Sequence, residues 1–410
     1  MKLSDYERSI LAGDFGEEAQ KILEVMVKVY EINDAKGFVE IKEVMLAGSQ
    51  CLSTSGELGI KFLTGLADSG IHFKAKTITD TVSIDLKGWK RLKIPQEYAR
   101  KQQKSVNALI KMGVVPTWNC TPYLTGSIHR YGEHLAYVET ACVIFANSYF
   151  GARTNREADI SALAAAITGK TPNYGLHFSD NREGKVLINI ETELKTTSDY
   201  DALGNYVGKI AGSKIPVFKK MDQNVSTQAL MQLGAALATT GAVGLFHVFG
   251  VTPDIIVNPC KYGEMSIIQE ITVTDGDMKQ AYNELNTTRN TEIDFVSLGC
   301  PYYTFDKIRE IASFLKGKKV KEGVEVWICT SETTKNIALK SGEIQTIEKA
   351  GAKIVVDTCM VVAPVKQLGF RNLATDSAKA QFYCSGLGLG VRFGDTPKCL
   401  QAAITGEWEE

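Results

Sequence analysis

The sequence predicts an α/β protein whose parallel-rich sheets are covered by helices, and three observations support this fold class. Strand-like and helix-like segments alternate through the last third of the chain. The strand-like segments are short, apolar and β-branched, which is typical of buried parallel strands. With 410 residues, 44% of them apolar and 23% charged, the chain is long enough for two or three domains with large cores.

The first two thirds of the chain contain amphipathic helices and a few short strands. Apolar residues recur three or four positions apart between Glu17 and Tyr30, and this spacing predicts a helix. Further helices are predicted at 96–112, 140–147, 161–168 and 229–239, and strands at 41–46, 186–190 and 243–248.

The last third predicts a sheet of parallel strands. Strands are predicted at 293–298, 324–329 and 353–356, and helices at 305–315, 333–341 and 344–349. This alternation is typical of a parallel sheet with helices on its faces. Because no linker or repeat divides residues 1–410, we expect interwoven subdomains without sharp internal boundaries.

Composition excludes several classes of protein. The formal net charge of −1 gives no field that would attract nucleic acid or an anionic membrane. The longest uncharged stretch, 223–253, is interrupted by polar residues, so we expect no membrane span. The charged N-terminus lacks the apolar centre of a signal peptide. Nine cysteines without an export signal indicate reduced thiols in the cytoplasm.

Three cysteines share a local context, with an apolar run before each and a proline after it. They are Cys120, Cys300 and Cys359, and the last two follow predicted parallel strands. Ligands bind at that edge of open α/β sheets. Three thiolates that converge there could hold a metal cluster with one open position. The alternative is that each is an ordinary core residue, which is more common for a single buried cysteine.

Three polar segments could contact a substrate. Residues 147–157 contain Arg153 and Arg156, and two arginines three apart can clamp a carboxylate. The alternative there is a salt-bridged helix start. Residues 375–379 could orient a substrate through hydroxyl and ammonium groups, or cap a helix. Residues 48–56 form a hydroxyl-rich loop after a predicted strand.

Eight short blocks form the most specific pattern in the chain. They are Leu11-Ala12-Gly13, Cys120-Thr121-Pro122-Tyr123, Phe145-Ala146-Asn147-Ser148, Gly151-Ala152-Arg153-Thr154-Asn155-Arg156-Glu157, residues 169–175, Gly299-Cys300-Pro301, Asp357-Thr358-Cys359 and Asp376-Ser377-Ala378-Lys379. In these blocks the chain resembles the large subunit of the aconitase X family, and the resemblance runs nearly end to end. It implies an aconitase-like three-domain catalytic core, with a small swivelling domain on a separate chain.

The resemblance also implies an activity, a cofactor and a partner. Members are iron-dependent dehydratases that act on small hydroxycarboxylates, so we expect a separate small aconitase X subunit as partner. The cofactor is expected to be an iron–sulfur cluster (2Fe-2S or 4Fe-4S) or mononuclear iron. Residues at the matching positions are assigned as metal ligands (Cys120, Cys300, Cys359), catalytic residues (Lys379, Ser377, Glu139) and substrate-binding residues (Ser49, Asn147, Ser148, Arg153, Asn155, Arg156).

The favoured substrate is cis-3-hydroxy-L-proline, which would give 1-pyrroline-2-carboxylate. The tail at 398–408 resembles the bacterial enzymes for that substrate more than the archaeal phosphomevalonate enzymes. Phosphomevalonate dehydration is the alternative, and a non-catalytic iron-sensing or RNA-binding relative is a third. Tyr302 and Asp376 stand where the resemblance leads us to expect His and Asn, so it does not fix the substrate.

Overall fold

The structure is a computed structural model that describes residues 1–257 and 266–409, so Cys260 lies outside the described residues. Its helices are α1 (Asp5–Leu11), α2 (Glu17–Ile32), α3 (Leu52–Asp68), α4 (Gln96–Lys111), α5 (Thr140–Phe145), α6 (Asp159–Thr168), α7 (Thr197–Ala211), α8 (Thr227–Gly241), α9 (Pro253–Val257), α10 (Asp275–Leu285), α11 (Phe305–Leu315), α12 (Glu332–Ser341), α13 (Glu343–Ala350), α14 (Ala378–Gly386) and α15 (Thr396–Thr405). Its strands are β1 (Phe38–Glu40), β2 (Val44–Leu46), β3 (Thr77–Thr79), β4 (Ala136–Tyr137), β5 (Lys170–Pro172), β6 (Val186–Ile190), β7 (Pro216–Lys219), β8 (His247–Val248), β9 (Gln269–Val273), β10 (Phe295–Tyr303), β11 (Glu325–Thr330), β12 (Lys353–Val355), β13 (Asn372–Thr375) and β14 (Gly390–Phe393).

The last third forms a five-stranded sheet in which every neighbouring pair is parallel. The strand order is β12-β11-β10-β13-β14. Every residue of β10 is buried, as expected for a central strand with helices on both faces. The predicted α/β fold class is thereby confirmed. The register between β10 and β11 shifts after Leu298, so Cys300 lies beyond the regular part of the sheet.

The rest of the described chain contains two further parallel sheets and one antiparallel pair. A four-stranded sheet has the order β8-β7-β6-β9, and a three-stranded sheet has the order β3-β2-β4. The antiparallel pair is β1 with β5. The carboxyl ends of β3, β2 and β4 therefore lie at one edge of their sheet and the amino ends at the other.

Helices α7 and α8 pack closely beside the four-stranded sheet. A Cβ atom on Gly204 would lie 2.5 Å from the Leu233 carbonyl oxygen and 2.9 Å from Ala236, so glycine is required for this approach. Their side chains contribute to a large apolar cluster that also contains residues of β6 and α5. The three-stranded sheet is thus joined to the four-stranded one through a shared core.

Two local expectations differ from the structure. The strand predicted at 243–248 is reduced to β8, and the helix predicted at 140–147 ends at Phe145 and continues as one wide turn to Phe150. Gly151 ends that turn with φ +65°, a conformation that favours glycine. Among the described residues, no helix combines the length and the hydropathy needed to cross a bilayer.

Candidate active site

Two parallel sheets bring their carboxyl-terminal edges to the same place. Asp80 follows β3, Glu139 follows β4, and Cys359 follows β12. A 2.7 Å hydrogen bond from the Val82 N–H to the Asp357 carbonyl joins the segments that follow β3 and β12. Because ligands of α/β sheets bind beyond the carboxyl ends of strands, this junction is the candidate site.

A buried ion pair joins the two sheets at this junction. The Lys379 ammonium in the first turn of α14 pairs with the Glu139 carboxylate. Glu139 also caps α5 by accepting the Cys142 N–H at 2.6 Å. Burial opposes both charges, but Lys379 holds the pKa of Glu139 below its usual value and Glu139 holds the pKa of Lys379 well above its own. Both groups are therefore ionised at neutral pH.

Asp80 is the third charged group of this cluster, and one of its oxygens is unsatisfied. Its Oδ1 is shielded from solvent and has no hydrogen-bond partner among the residues that the structure describes. Burial and the neighbouring Glu139 carboxylate raise the pKa of Asp80 to about 7. A carboxyl group that is half protonated near neutral pH is suited to moving a proton.

A cavity of about 1040 Å³ opens onto this cluster. Asp80, Glu139 and Lys379 line it, together with the starts of α3 and α4, the segment 361–367 and the end of α14. Its volume lies just above the usual range for small-molecule sites, which is about 300–1,000 Å³. An organic substrate therefore has room beside the charged cluster.

The three cysteines predicted as metal ligands share one buried apolar cluster. The Tyr302 N–H donates to the Cys120 sulfur at 3.4 Å, which holds the Cys120 loop against the end of β10. Burial raises the pKa of Cys120 and of Cys300 well above the usual thiol value, and that of Cys359 to about 11. Without a metal ion, these side chains are neutral thiols at neutral pH.

The chemistry of this donor set fits an iron–sulfur cluster. Three cysteine sulfurs are typical ligands of such a cluster, and metal binding displaces the thiol protons. As the side chains stand, no group of three or more His, Cys, Asp or Glu residues within 1–257 and 266–409 could hold a metal ion. The ligand assignment of the three cysteines stays a prediction.

Ser377 begins the helix that carries Lys379. Its hydroxyl accepts the Ala380 N–H at 3.1 Å, which is the helix cap considered as the alternative to substrate binding. The N–H of Ala378, the residue directly after Ser377, donates to the Asp201 carboxylate of α7 at 2.7 Å. The position of Lys379 therefore depends on a helix of the middle part of the chain.

The six residues predicted to bind substrate lie outside the lining of this cavity, as far as the described residues show. They are Ser49, Asn147, Ser148, Arg153, Asn155 and Arg156. The Arg153 guanidinium donates to the His177 carbonyl at 2.7 Å and to the Ser179 hydroxyl at 2.6 Å, whereas Arg156 is exposed. Their role in substrate binding stays a prediction.

Asp80 is the member of the cluster that the sequence analysis did not identify. It follows β3, a buried strand of only three residues. The available signal is a single carboxylate directly after the β-branched triplet Thr77-Ile78-Thr79. That signal is weak, because the partners of Asp80 come from segments far along the chain.

Comparison with known families matches nearly the whole chain. Residues 1–180 match the aconitase X first domain, residues 184–283 the second domain and residues 293–405 the third domain. The three matched segments follow one another without overlap. The expectation of interwoven subdomains stays a prediction.

Similar proteins include enzymes with two different names. The chain is 41% identical to the phosphomevalonate dehydratase large subunit of Methanothermobacter thermautotrophicus, over 95% of each chain. It is 31% identical to the cis-3-hydroxy-L-proline dehydratase of Pseudomonas aeruginosa, over 99% of this chain but 70% of that protein. The structure resembles the crystal structure of Thermococcus kodakaraensis aconitase X in its holo-form, with a TM-score of 0.87 and 36% identity over 98% of this chain and 100% of that one.

Proposed function

Because this chain belongs to the aconitase X family and is a dehydratase, we propose that it is the large subunit of a phosphomevalonate dehydratase. The observation that supports this substrate is the 41% identity to a relative of that name, matched over 95% of both chains. The hydroxyproline relative is 31% identical and longer than this chain. The comparisons thus favour the alternative over the hydroxyproline substrate that the sequence analysis preferred.

The charged cluster accounts for the chemistry that the protein itself must supply. Phosphomevalonate is a β-hydroxy acid, so its dehydration removes a proton from the carbon next to the carboxylate and hydroxide from the following carbon. The Lys379 ammonium binds the carboxylate and stabilises the negative charge that develops on it. Glu139 keeps this ammonium charged and in place.

Asp80 is the residue that we assign to the proton transfer. Glu139 is committed to Lys379 and to the Cys142 N–H, and the ammonium of Lys379 stays protonated. The Ser377 hydroxyl caps its helix. Asp80 keeps an oxygen without a partner in the described chain, so it can accept the proton from the substrate.

Cys120, Cys300 and Cys359 are proposed to hold an iron–sulfur cluster. When bound, it would supply a Lewis acid for the departing hydroxyl, which is otherwise a poor leaving group. The eight cysteines that the structure describes are free thiols, in keeping with our proposal that the enzyme works in the reducing cytoplasm.

A separate small subunit is proposed to cover the cavity. The relative from Methanothermobacter is itself named a large subunit. In this chain, two large apolar side chains of the cavity lining are exposed: Tyr383 on α14 is 37% exposed, and Leu387 just beyond that helix is 38% exposed. Exposed apolar groups beside a catalytic cavity are typical of an interface.

The test is a comparison of two substrates. Both subunits from the source organism are produced together without oxygen and assayed with phosphomevalonate and with cis-3-hydroxy-L-proline. We expect water elimination from phosphomevalonate alone, and none from a complex that carries Lys379→Met. Turnover of the hydroxyproline alone would show that the substrate proposed here is wrong.

A further inference from the structure

Cations line the cavity at two separate places: Lys379 lies in the first turn of α14, whereas the Lys366 ammonium lies beside Gly388, just beyond the other end of that helix. Asp80, Glu139 and Lys379 line the cavity where the two sheets meet. Two further lysines line the same cavity, Lys101 on α4 and Lys366 in the segment that follows Cys359. A small ring such as that of hydroxyproline would fill only part of the volume of about 1040 Å³, whereas a longer substrate could reach both groups of charges.

Lys366 is a cation without a counter-ion in the described chain. No hydrogen bond or ion pair of its ammonium is found there, and the side chain is exposed. The backbone around it is held by a turn, because the N–H groups of Gln367 and Leu368 donate to the Pro364 carbonyl at 2.9 and 3.1 Å. The lysine is thus presented at the cavity by an ordered segment.

Lys101 is the second of these two lysines, and its charge is partly balanced. Its ammonium lies 2.5 Å from the Glu57 carboxylate and 3.7 Å from that of Glu97. The Glu57 side chain is 72% exposed, so solvent screens this pair and an incoming anion can compete for the lysine. Lys101 is therefore a weaker anion ligand than Lys366.

Hydroxyl groups also belong to the lining of the cavity. Ser53 and Thr54 line it in the first turn of α3. The N–H groups of Leu52 and Ser53 are already bonded to the side chains of Gln102 and Ser83, at 3.0 Å in each case. An anion would therefore be bound by ammonium and hydroxyl groups, and not by the helix terminus itself.

We infer that Lys366, assisted by Lys101, binds the phosphate group of the substrate at a place in the cavity separate from Lys379. This inference rests on the proposed phosphomevalonate substrate, which has a carboxylate at one end and a phosphate at the other. Lysine is a common phosphate ligand because its ammonium acts as a compact positive charge. These two lysines would then select for a phosphorylated substrate.

The test separates substrate binding from chemistry. In the complex of both subunits, Lys366→Met is expected to raise KM for phosphomevalonate about 10-fold with kcat unchanged, the effect of losing one charge-assisted contact. Inorganic phosphate should inhibit the unsubstituted enzyme competitively, and about 10-fold more weakly in the variant. Lys101→Met should give a smaller change, because Glu57 and Glu97 already balance that lysine.

Controls distinguish a failed inference from a failed substrate proposal. Lys316→Met removes another exposed lysine, one that is absent from the cavity lining, and should change neither KM nor phosphate inhibition. Unchanged KM and phosphate inhibition in the Lys366→Met and Lys101→Met double variant would overturn the inference. If the unsubstituted enzyme does not dehydrate phosphomevalonate, the substrate proposal is wrong. Calorimetric titration with phosphate, comparing the unsubstituted complex with Lys366→Met, still tests the lysine site in that case.

Discussion

The two ends of the three-stranded sheet carry similar residues in opposite states. At the carboxyl-terminal end, Asp80 and Glu139 follow β3 and β4. At the amino-terminal end, Glu43 precedes β2 and Lys76 precedes β3. Each end thus has buried carboxylates and a lysine. The two carboxylates that differ most in their hydrogen bonding are Glu43 and Asp80.

Glu43 is saturated with donors. The Tyr137 hydroxyl donates to it at 2.5 Å and the Ser127 hydroxyl at 3.1 Å, and the Lys76 ammonium pairs with it. Burial opposes its charge, but the hydrogen bonds from His129, Lys76 and Tyr137 lower its pKa to about 2. Such a carboxylate has no oxygen left for a substrate and stays ionised.

Asp80 has the opposite character. It has an oxygen without a partner in the described residues and a pKa of about 7. The comparison teaches that burial alone does not mark a reactive carboxylate. Both ends open to a cavity, so it is the incomplete set of donors that distinguishes the proposed functional end of this sheet from the structural end.

The largest effect is expected for Lys379→Met, which removes the cation from the functional end. Turnover should fall on the order of 10⁴-fold, because the substrate carboxylate loses its partner and Glu139 is left as an unpaired buried charge. Steady-state kinetics of the complex would measure this. Lys76→Met at the structural end is the matched control, and equal losses of turnover in the two variants would contradict the distinction.

The next effect is expected for Asp80→Asn, which preserves shape but cannot accept a proton. We expect kcat to fall about 10³-fold, within the range for loss of a general base. In the unsubstituted enzyme the active form is deprotonated, so kcat should rise as the pH increases through about 7. The pH profile of the residual activity should lose that step. A variant that keeps both the rate and the step would exclude Asp80 as the base.

Glu43→Gln should act on stability instead of turnover. Removing the charge leaves the Lys76 ammonium without its carboxylate and disturbs the Tyr137 and Ser127 hydrogen bonds. The free energy of unfolding should fall by about 2 kcal/mol, mainly through the disturbed hydrogen bonds to the buried carboxylate, because the Lys76 side chain is 49% exposed and solvent screens its charge. We expect kcat to stay within about twofold of the unsubstituted enzyme. Urea unfolding and kinetics on the same preparation would measure both. A large loss of kcat without loss of stability would place Glu43 in the reaction.

The smallest effect concerns pH and the histidine pair near the amino-terminal end. His134 and His177 share a 2.9 Å contact between their Nδ1 atoms, and burial, followed by the charges of His134 and Arg153, lowers the pKa of His177 to about 3. Below about pH 6.5 the unfolded chain therefore binds a proton that the folded chain does not, so stability falls as the pH falls.

For His177→Gln, we expect the difference in unfolding free energy between pH 7 and pH 5 to shrink by about 2 kcal/mol. Urea unfolding at the two pH values measures it. His72→Gln, at an exposed position, should leave the difference unchanged. The same pH dependence in His177→Gln and in the unsubstituted protein would show that His177 is not its source.

Local patterns predicted much of the fold. The helix predicted at 305–315 coincides with α11, and the alternation in the last third predicted the parallel sheet. The prediction of a strand at 243–248 was wrong for most of its length. Leu245 and Phe246 are apolar because they are buried, and this gave the segment a strand-like sequence although only β8 pairs with another strand.

The candidate site could be predicted only in part. The resemblance in the sequence singled out Lys379 and Glu139, and both line the cavity, while their catalytic role stays a prediction. Asp80 was not predicted from the sequence, because its raised pKa depends on burial and on the charge of Glu139. Glu139 lies 59 positions away in the sequence. A sequence pattern does not predict which carboxylate oxygen lacks a hydrogen-bond donor in the fold.

The hydrogen bond between Ala378 and Asp201 has a consequence for biosynthesis. It joins residues 177 positions apart, and Lys379 follows directly after Ala378. A nascent chain that ends before β10 therefore contains Glu139 and Asp80 but not the lysine that neutralises them. The ion pair between Glu139 and Lys379 can form only after the residues that follow β10 have been synthesised and packed against α7, so an incomplete chain lacks the cation to which we assign substrate binding.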